Sequence, residues 1–114
     1  MAGSLITTNF NATAATAIVA HPRPCLLTAI SIVSATTVTG FVNLYDSSGT
    51  VGITVGLAGA TVPNGFFTIV AGASDTFVPG QGIGFSNGLV IGSSRTQSGS
   101  SSVETNLMVS IVVE

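Results

Sequence analysis

Apolar residues recur along this chain at every second position over short runs, and each run is then broken by glycine, proline or small hydroxylated residues. That is the period of a β-strand, whose successive side chains point to opposite faces. The clearest run is Cys25 to Ser34, where Leu26, Thr28, Ile30 and Ile32 alternate with Leu27, Ala29, Ser31 and Val33. Both sets are largely apolar, so both faces of this strand are expected to be buried. Thr39 to Asp46 follows, with Val42 and Leu44 on one face and Phe41, Asn43 and Tyr45 on the other. The connector Ala35-Thr36-Thr37 is short enough to make the two a hairpin.

Turn chemistry punctuates the rest. Asp46-Ser47-Ser48-Gly49 reads as a turn, because Asp can bond its own backbone two residues on and Gly supplies positive φ at little cost. A short strand is predicted at Val51 to Leu57. Asn64-Gly65 sets off Phe66 to Ala71, Pro79-Gly80-Gln81-Gly82 sets off Ile83 to Phe85, and Asn87-Gly88 sets off Leu89 to Gly92, each dipeptide being a strong turn signal. Ser93 to Ser102 is polar and serine-rich and reads as a loop. A last strand is predicted over Val103 to Val113, where Leu107, Val109, Ile111 and Val113 alternate. At the other end Thr13 to Ala20 is the first strand. Residues 1–12, with Leu5, Ile6 and Phe10 set among Gly3, Ser4, Asn9 and Asn11, are expected to form an N-terminal arm ahead of one β-domain over 13–114.

Composition agrees with strands. Val, Ile, Phe, Tyr and Thr number 45, against 15 for Leu, Glu, Lys, Gln, Arg and Met, and the first group favours strands while the second favours helices. The expected class is all-β, a sandwich or barrel of short antiparallel strands, and 114 residues suffice for one such domain.

Charge changes the picture more. Only 5% of residues are charged and none is lysine, against about 25% in an ordinary soluble domain. A surface so nearly neutral favours association, and strand edges without lysine are poorly defended against pairing with another chain. With a net charge of −2 and no basic cluster, nothing matches a phosphate backbone or an anionic membrane, so neither nucleic acid nor membrane is an expected partner. A hydrophobic fraction of 46% opposes disorder. No apolar run approaches the roughly 20 residues of a spanning helix. Met1 to Ala20 lacks the basic n-region and unbroken apolar stretch of a secretory signal, so none is expected.

Candidate chemistry is sparse. Gly84-Phe85-Ser86-Asn87-Gly88 fits the G-x-S-x-G pattern of a nucleophile elbow, but no helix pattern follows and the single histidine, His21, lies upstream. It reads as a turn. Gly82, Gly84 and Gly88 miss the spacing of a dinucleotide loop. The four acids, Asp46, Asp75, Glu104 and Glu114, are scattered and read as solvated. His21-Pro22-Arg23-Pro24 reads as a structural corner, because two prolines end one strand and stiffen the approach to the next. Cys25 and His21 are too few to build a zinc site, and a lone cysteine forms no internal disulfide. Cys25 is expected to behave as a small buried hydrophobe. Asn11-Ala12-Thr13 fits a glycosylation acceptor, which matters only in a secretory setting. No cofactor and no enzymatic constellation is expected. Adjacent Phe66 and Phe67 must face opposite ways on a strand, so one of them is expected to join Leu5, Ile6 and Phe10 as interface material.

Several segments carry a resemblance: Ile30-Ser31-Ile32-Val33, Gly40-Phe41-Val42-Asn43-Leu44-Tyr45-Asp46, Pro79-Gly80, and Gly82-Ile83-Gly84-Phe85-Ser86-Asn87-Gly88-Leu89. Together they resemble the capsid decoration, or cement, proteins of tailed bacteriophages, over about Leu26 to Glu114. These are patterns of turns and core positions, with no catalytic signature among them, and the N-terminal segment lies outside the likeness. The resemblance implies a β-sandwich of jelly-roll type. It implies a homotrimer seated on the capsid exterior, the major capsid protein as partner, and residence in the host cytoplasm during assembly. A different class, a fibre or spike module that binds a receptor or carbohydrate, would use the same fold and the Ser93 to Ser102 loop. The absence of tryptophan and the single tyrosine weigh against it, since sugar sites present aromatic platforms.

Overall fold

In the computed structural model, residues 4–10 (as backbone), 17–34, 39–55, 60–94 and 107–114 are described. The strands are β1 (Ser4–Phe10), β2 (Ile18–His21), β3 (Cys25–Ser34), β4 (Gly40–Asp46), β5 (Gly65–Ile69), β6 (Ser74–Phe77), β7 (Ile83–Phe85), β8 (Leu89–Ser94) and β9 (Leu107–Val113). Among the described residues there is no helix, and hence none able to cross a membrane. The strands form two antiparallel sheets, ordered β1-β9-β3-β6 and β2-β8-β4-β5, with β7 also on β3. β6 pairs with Ile30 to Val33 and β7 with Cys25 to Leu27. They are thus one edge strand interrupted by residues 78–82. Counted so, consecutive strands alternate between the sheets except at β4 and β5, which pair as neighbours in one sheet, and this is the order of a jelly roll.

Apolar residues from both inner faces meet between the sheets. Leu27, Ile30, Ile32, Val109 and Ile111 of the first sheet and Val42, Leu44, Leu89 and Ile91 of the second are all at most 2% exposed. Burying a side chain of this size stabilises the fold by about 1.5–3 kcal/mol. A second, smaller cluster lies on the outer face of the β2-β8-β4-β5 sheet, where Tyr45 and Val90, cross-strand partners, are covered by Ala17 and Val55. Val55 fits there because Gly92 has no side chain: a Cβ on Gly92 would lie 2.8 Å from a Val55 methyl.

Several expectations are corrected. Residues 4–10 are no arm but the edge strand β1, hydrogen-bonded along β9, with Leu5, Ile6 and Phe10 opposite Val112, Ile111 and Leu107. Residues 1–3 and 11–16, including the first half of the expected strand at 13–20, lie outside the described residues. β3 and β4 are not a hairpin, since they belong to different sheets. Each has an apolar face, and the two faces meet across the core instead of lying side by side. In β3 the alternation slips: a bulge between Leu27 and Ala29 brings Leu27 onto the same buried side as Ile30 and Ile32. The opposite side is only partly covered, and Val33 is 46% exposed.

Around Val51 the described residues form a turn, with the Ile53 N–H donating to the Thr50 carbonyl and positive φ at Gly52. The predicted strand is absent from 51–55, and 56–59 lie outside the described residues. Ser93 and Ser94 belong to β8 and are buried; the remainder of the predicted loop, and residues 103–106 of the predicted last strand, lie outside. β6 was not predicted at all.

Candidate functional site

Where β4 ends, the sandwich is open. β5 and β7 are both edge strands, paired on one side only to β4 and β3, and between them lies a cleft of about 340 Å³. Its walls are Leu44, Phe67, Ile83 and Phe85, with Asp46 and Asn64 also lining it. The cleft exists because of Gly65. This residue is the cross-strand partner of Leu44, and a Cβ there would sit 3.8 Å from Leu44 Cδ1, so the space a larger side chain would fill is left empty.

Asp46 follows Val42 and Leu44 on the core-facing alternation of β4, at the point where the core ends. Its carboxylate accepts the Asn87 N–H (2.8 Å), the Ser86 hydroxyl (2.9 Å) and the Ser86 N–H (3.2 Å). The Asn87 N–H, the Ser86 groups and the Gly88 N–H hold this carboxyl below the usual carboxylate range, outweighing the upward pull of burial. All are neutral donors, and among the described residues no cation is a partner of this carboxylate. On the other side, the Asp46 N–H donates to Asn64 Oδ1 (2.8 Å) and the Asn64 N–H to the Leu44 carbonyl (2.8 Å). Asn64 thereby clips the start of β5 onto the end of β4. The turn at 46–49 also differs from expectation. Ser47 closes it, its hydroxyl accepting from the Gly49 N–H and donating to the Gly49 carbonyl, which frees the Asp46 carboxylate to reach β7's far end.

The expected interface residues do not form one patch. Leu5, Ile6 and Phe10 lie along β1, at one edge of the first sheet, whereas Phe66 and Phe67 lie on β5, an edge of the second. Phe67 stacks against Phe77 of β6 with ring centroids 4.9 Å apart, so β5 overlies β6, at the edge opposite β1. As the strand period requires, the two phenylalanines diverge: Phe67 packs on the core, while Phe66 is 41% exposed with its ring edge-on to Phe41.

Ser86 of the G-x-S-x-G run sits in the turn between β7 and β8. Its hydroxyl donates to a carboxylate whose depressed pKa makes it a weak base, and the His21 ring nitrogen Nδ1 lies 3.0 Å from the Arg23 carbonyl instead. Asp75 is occupied locally, accepting from the Thr76 N–H. Cys25 is buried, and burial first, then the charge of Asp46, pushes its thiol up. Among the described residues no group of three or more His, Cys, Asp or Glu side chains could hold a metal ion. The Asp46–Ser86 pairing was not visible in the sequence, where 40 residues separate the two. No protein-family model, curated protein or solved structure matches the chain.

Proposed function

We propose that the chain is a non-enzymatic structural protein of a tailed-bacteriophage virion, a decoration or cement protein that binds the outside of the assembled head and stabilises contacts between major capsid subunits. The observation that carries this reading is the outer face of the β1-β9-β3-β6 sheet. There Val33 and Met108 are cross-strand partners, 46% and 44% exposed, and the neighbouring pairs in register are Ser31 with Ser110, Ser31 with Thr76, and Val33 with Ser74. None of these residues ionises. Such a face offers an apolar centre and hydroxyl groups to a flat surface, and its contacts are little screened by salt.

The jelly roll and the scarcity of charge support the same reading, as does the resemblance over Leu26 to Glu114. No turnover is needed. A protein that binds only the assembled shell stabilises that state by mass action. It would act as a homotrimer on the capsid exterior, after dwelling in the host cytoplasm during assembly. The test is to add purified protein to bare heads and follow binding together with resistance to heat and chelator. Saturable binding with a gain in resistance is expected, and it should weaken for Val33→Asp. Heads that bind nothing and gain nothing would overturn the proposal.

A further inference from the structure

The cleft between β5 and β7 has no role in that account, and its chemistry is unlike that of the neutral sheet face. We infer that it is a socket for one basic side chain, an arginine or lysine presented by a partner protein, with the alkyl stem against Leu44, Phe67, Ile83 and Phe85 and the cationic head at Asp46. The cleft itself rests on the geometry alone; only the identification of that partner as the major capsid protein rests on the reading above.

Three observations carry it. The volume of about 340 Å³ lies at the small end of ligand pockets, which run from about 300 to 1,000 Å³, and suits a single long side chain. The walls are apolar and partly aromatic while the rim carries one carboxylate, which is the profile of a residue with an apolar stem and a charged tip. Finally, the carboxylate is positioned by the uncharged donors of Ser86 and Asn87, with no cation beside it among the described residues. Backbone and hydroxyl donors fix its place and leave its negative charge for a cation entering along the cleft. The chain itself offers few candidates, having no lysine and two arginines.

Acetyl-arginine amide and acetyl-citrulline amide, its uncharged isostere, distinguish the idea when titrated into isotopically labelled protein and followed by NMR. Arginine amide is expected to move the amide signals of Gly65, Phe67 and Gly84 in a saturable way, and citrulline amide to bind more weakly by about tenfold. Gly65→Leu should fold, because the added Cβ meets Leu44 at 3.8 Å, an ordinary contact, and the rest of the side chain has the cleft to enter, and it should lose the response by plugging the cleft. Asp46→Asn should lose it as well, and if that variant fails to fold, the arginine–citrulline comparison and the plugged variant still decide.

Equal responses to both amides, no response to either, or the same response to a methyl glycoside at equal concentration would overturn the socket. Shifts that grow with protein concentration alone and vanish in Arg23→Ala would hand the cleft to a second copy and overturn the separate partner. Loss of arginine binding with heads still decorated removes the socket alone, and arginine binding with bare heads ignored removes the capsid reading alone.

Discussion

The hydroxyl of Ser86 donates to the Asp46 carboxylate across 2.9 Å, tying the end of β4 in one sheet to the turn after β7 in the other. With the Ser86 and Asn87 N–H groups it fastens the two sheets to each other beside the open cleft. Replacing Asp46 with alanine is expected to cost about 1–2 kcal/mol, since several donors lose a charged acceptor at a half-exposed site. Ser86→Ala removes one bond and should cost roughly 0.5–1 kcal/mol. Urea melts of both variants and of the double variant check this. The double variant should lose less than the sum, because the two changes share an interaction.

Acid should undo the same corner. The folded pKa of Asp46 is lowered, by the Asn87 N–H foremost, so its stabilising effect is complete above the unfolded value of about 3.9 and fades as pH falls through the folded value. Thermal melts from about pH 7 down to about pH 2 should show the gap between the native chain and Asp46→Asn narrowing below about pH 4. A gap of constant size over that range would mean that shape, not charge, separates the two.

Tyr45 is 2% exposed, and among the described residues its hydroxyl has no hydrogen-bond partner. An unsatisfied buried hydroxyl is a cost, so Tyr45→Phe should raise stability by about 0.5–1 kcal/mol in a denaturant melt. Because this is the single tyrosine, an absorbance titration reports it directly, and burial should push its ionisation above the ordinary value of about 10. Destabilisation of more than about 1 kcal/mol on removing the hydroxyl would mean that it makes a bond in solution.

Two glycines should respond to alanine very differently. Gly88 has φ of 151°, and a Cβ there would lie 2.7 Å from the carbonyl oxygens of both His21 and Ser47. These are backbone atoms and cannot swing aside. Gly88→Ala should therefore cost about 2–4 kcal/mol, while Gly49→Ala, with nothing within 4 Å of its Cβ, should change stability by less than about 0.5 kcal/mol. Melting both side by side tests the assignment.

Cys25 should be slow to react. Its thiol is buried and its pKa raised, and only the thiolate attacks a disulfide reagent. An aromatic disulfide at mildly alkaline pH is expected to modify the folded protein far more slowly than the protein in denaturant. Equal rates would show that this end of β3 opens readily.

The bounds of β3 and β4 were legible because alternation is a local property of the chain. Which sheet each joins was not, since a run such as Gly40–Asp46 carries the same pattern whether its neighbour is β3 or β8. The bulge after Leu27 was hidden for a related reason: Leu26 and Leu27 are equally apolar, and only pairing with β9 decides which of them turns inward. β6 escaped because Ser74, Asp75 and Thr76 carry no apolar alternation, and their strand form is supplied by the ladder with Ile30 to Val33. The opposed faces of Phe66 and Phe67 followed from strand geometry alone. Their site did not, because Gly65 announces a turn in sequence, while its missing side chain opens a cleft only once β7 stands opposite.

Of the described strands β9 lies farthest along the chain, yet it is an interior one, between β1 and β3. Until β9 is in place, β1 lacks the described strand it pairs with and β3 stands open along its longest border. A chain cut short before Leu107 loses Leu107, Val109, Ile111 and Val113 from the core they share with Val42, Leu44, Leu89 and Ile91. The strand order thus makes closure of the first sheet wait for β9, and a fragment lacking it exposes apolar surface of the kind that aggregates.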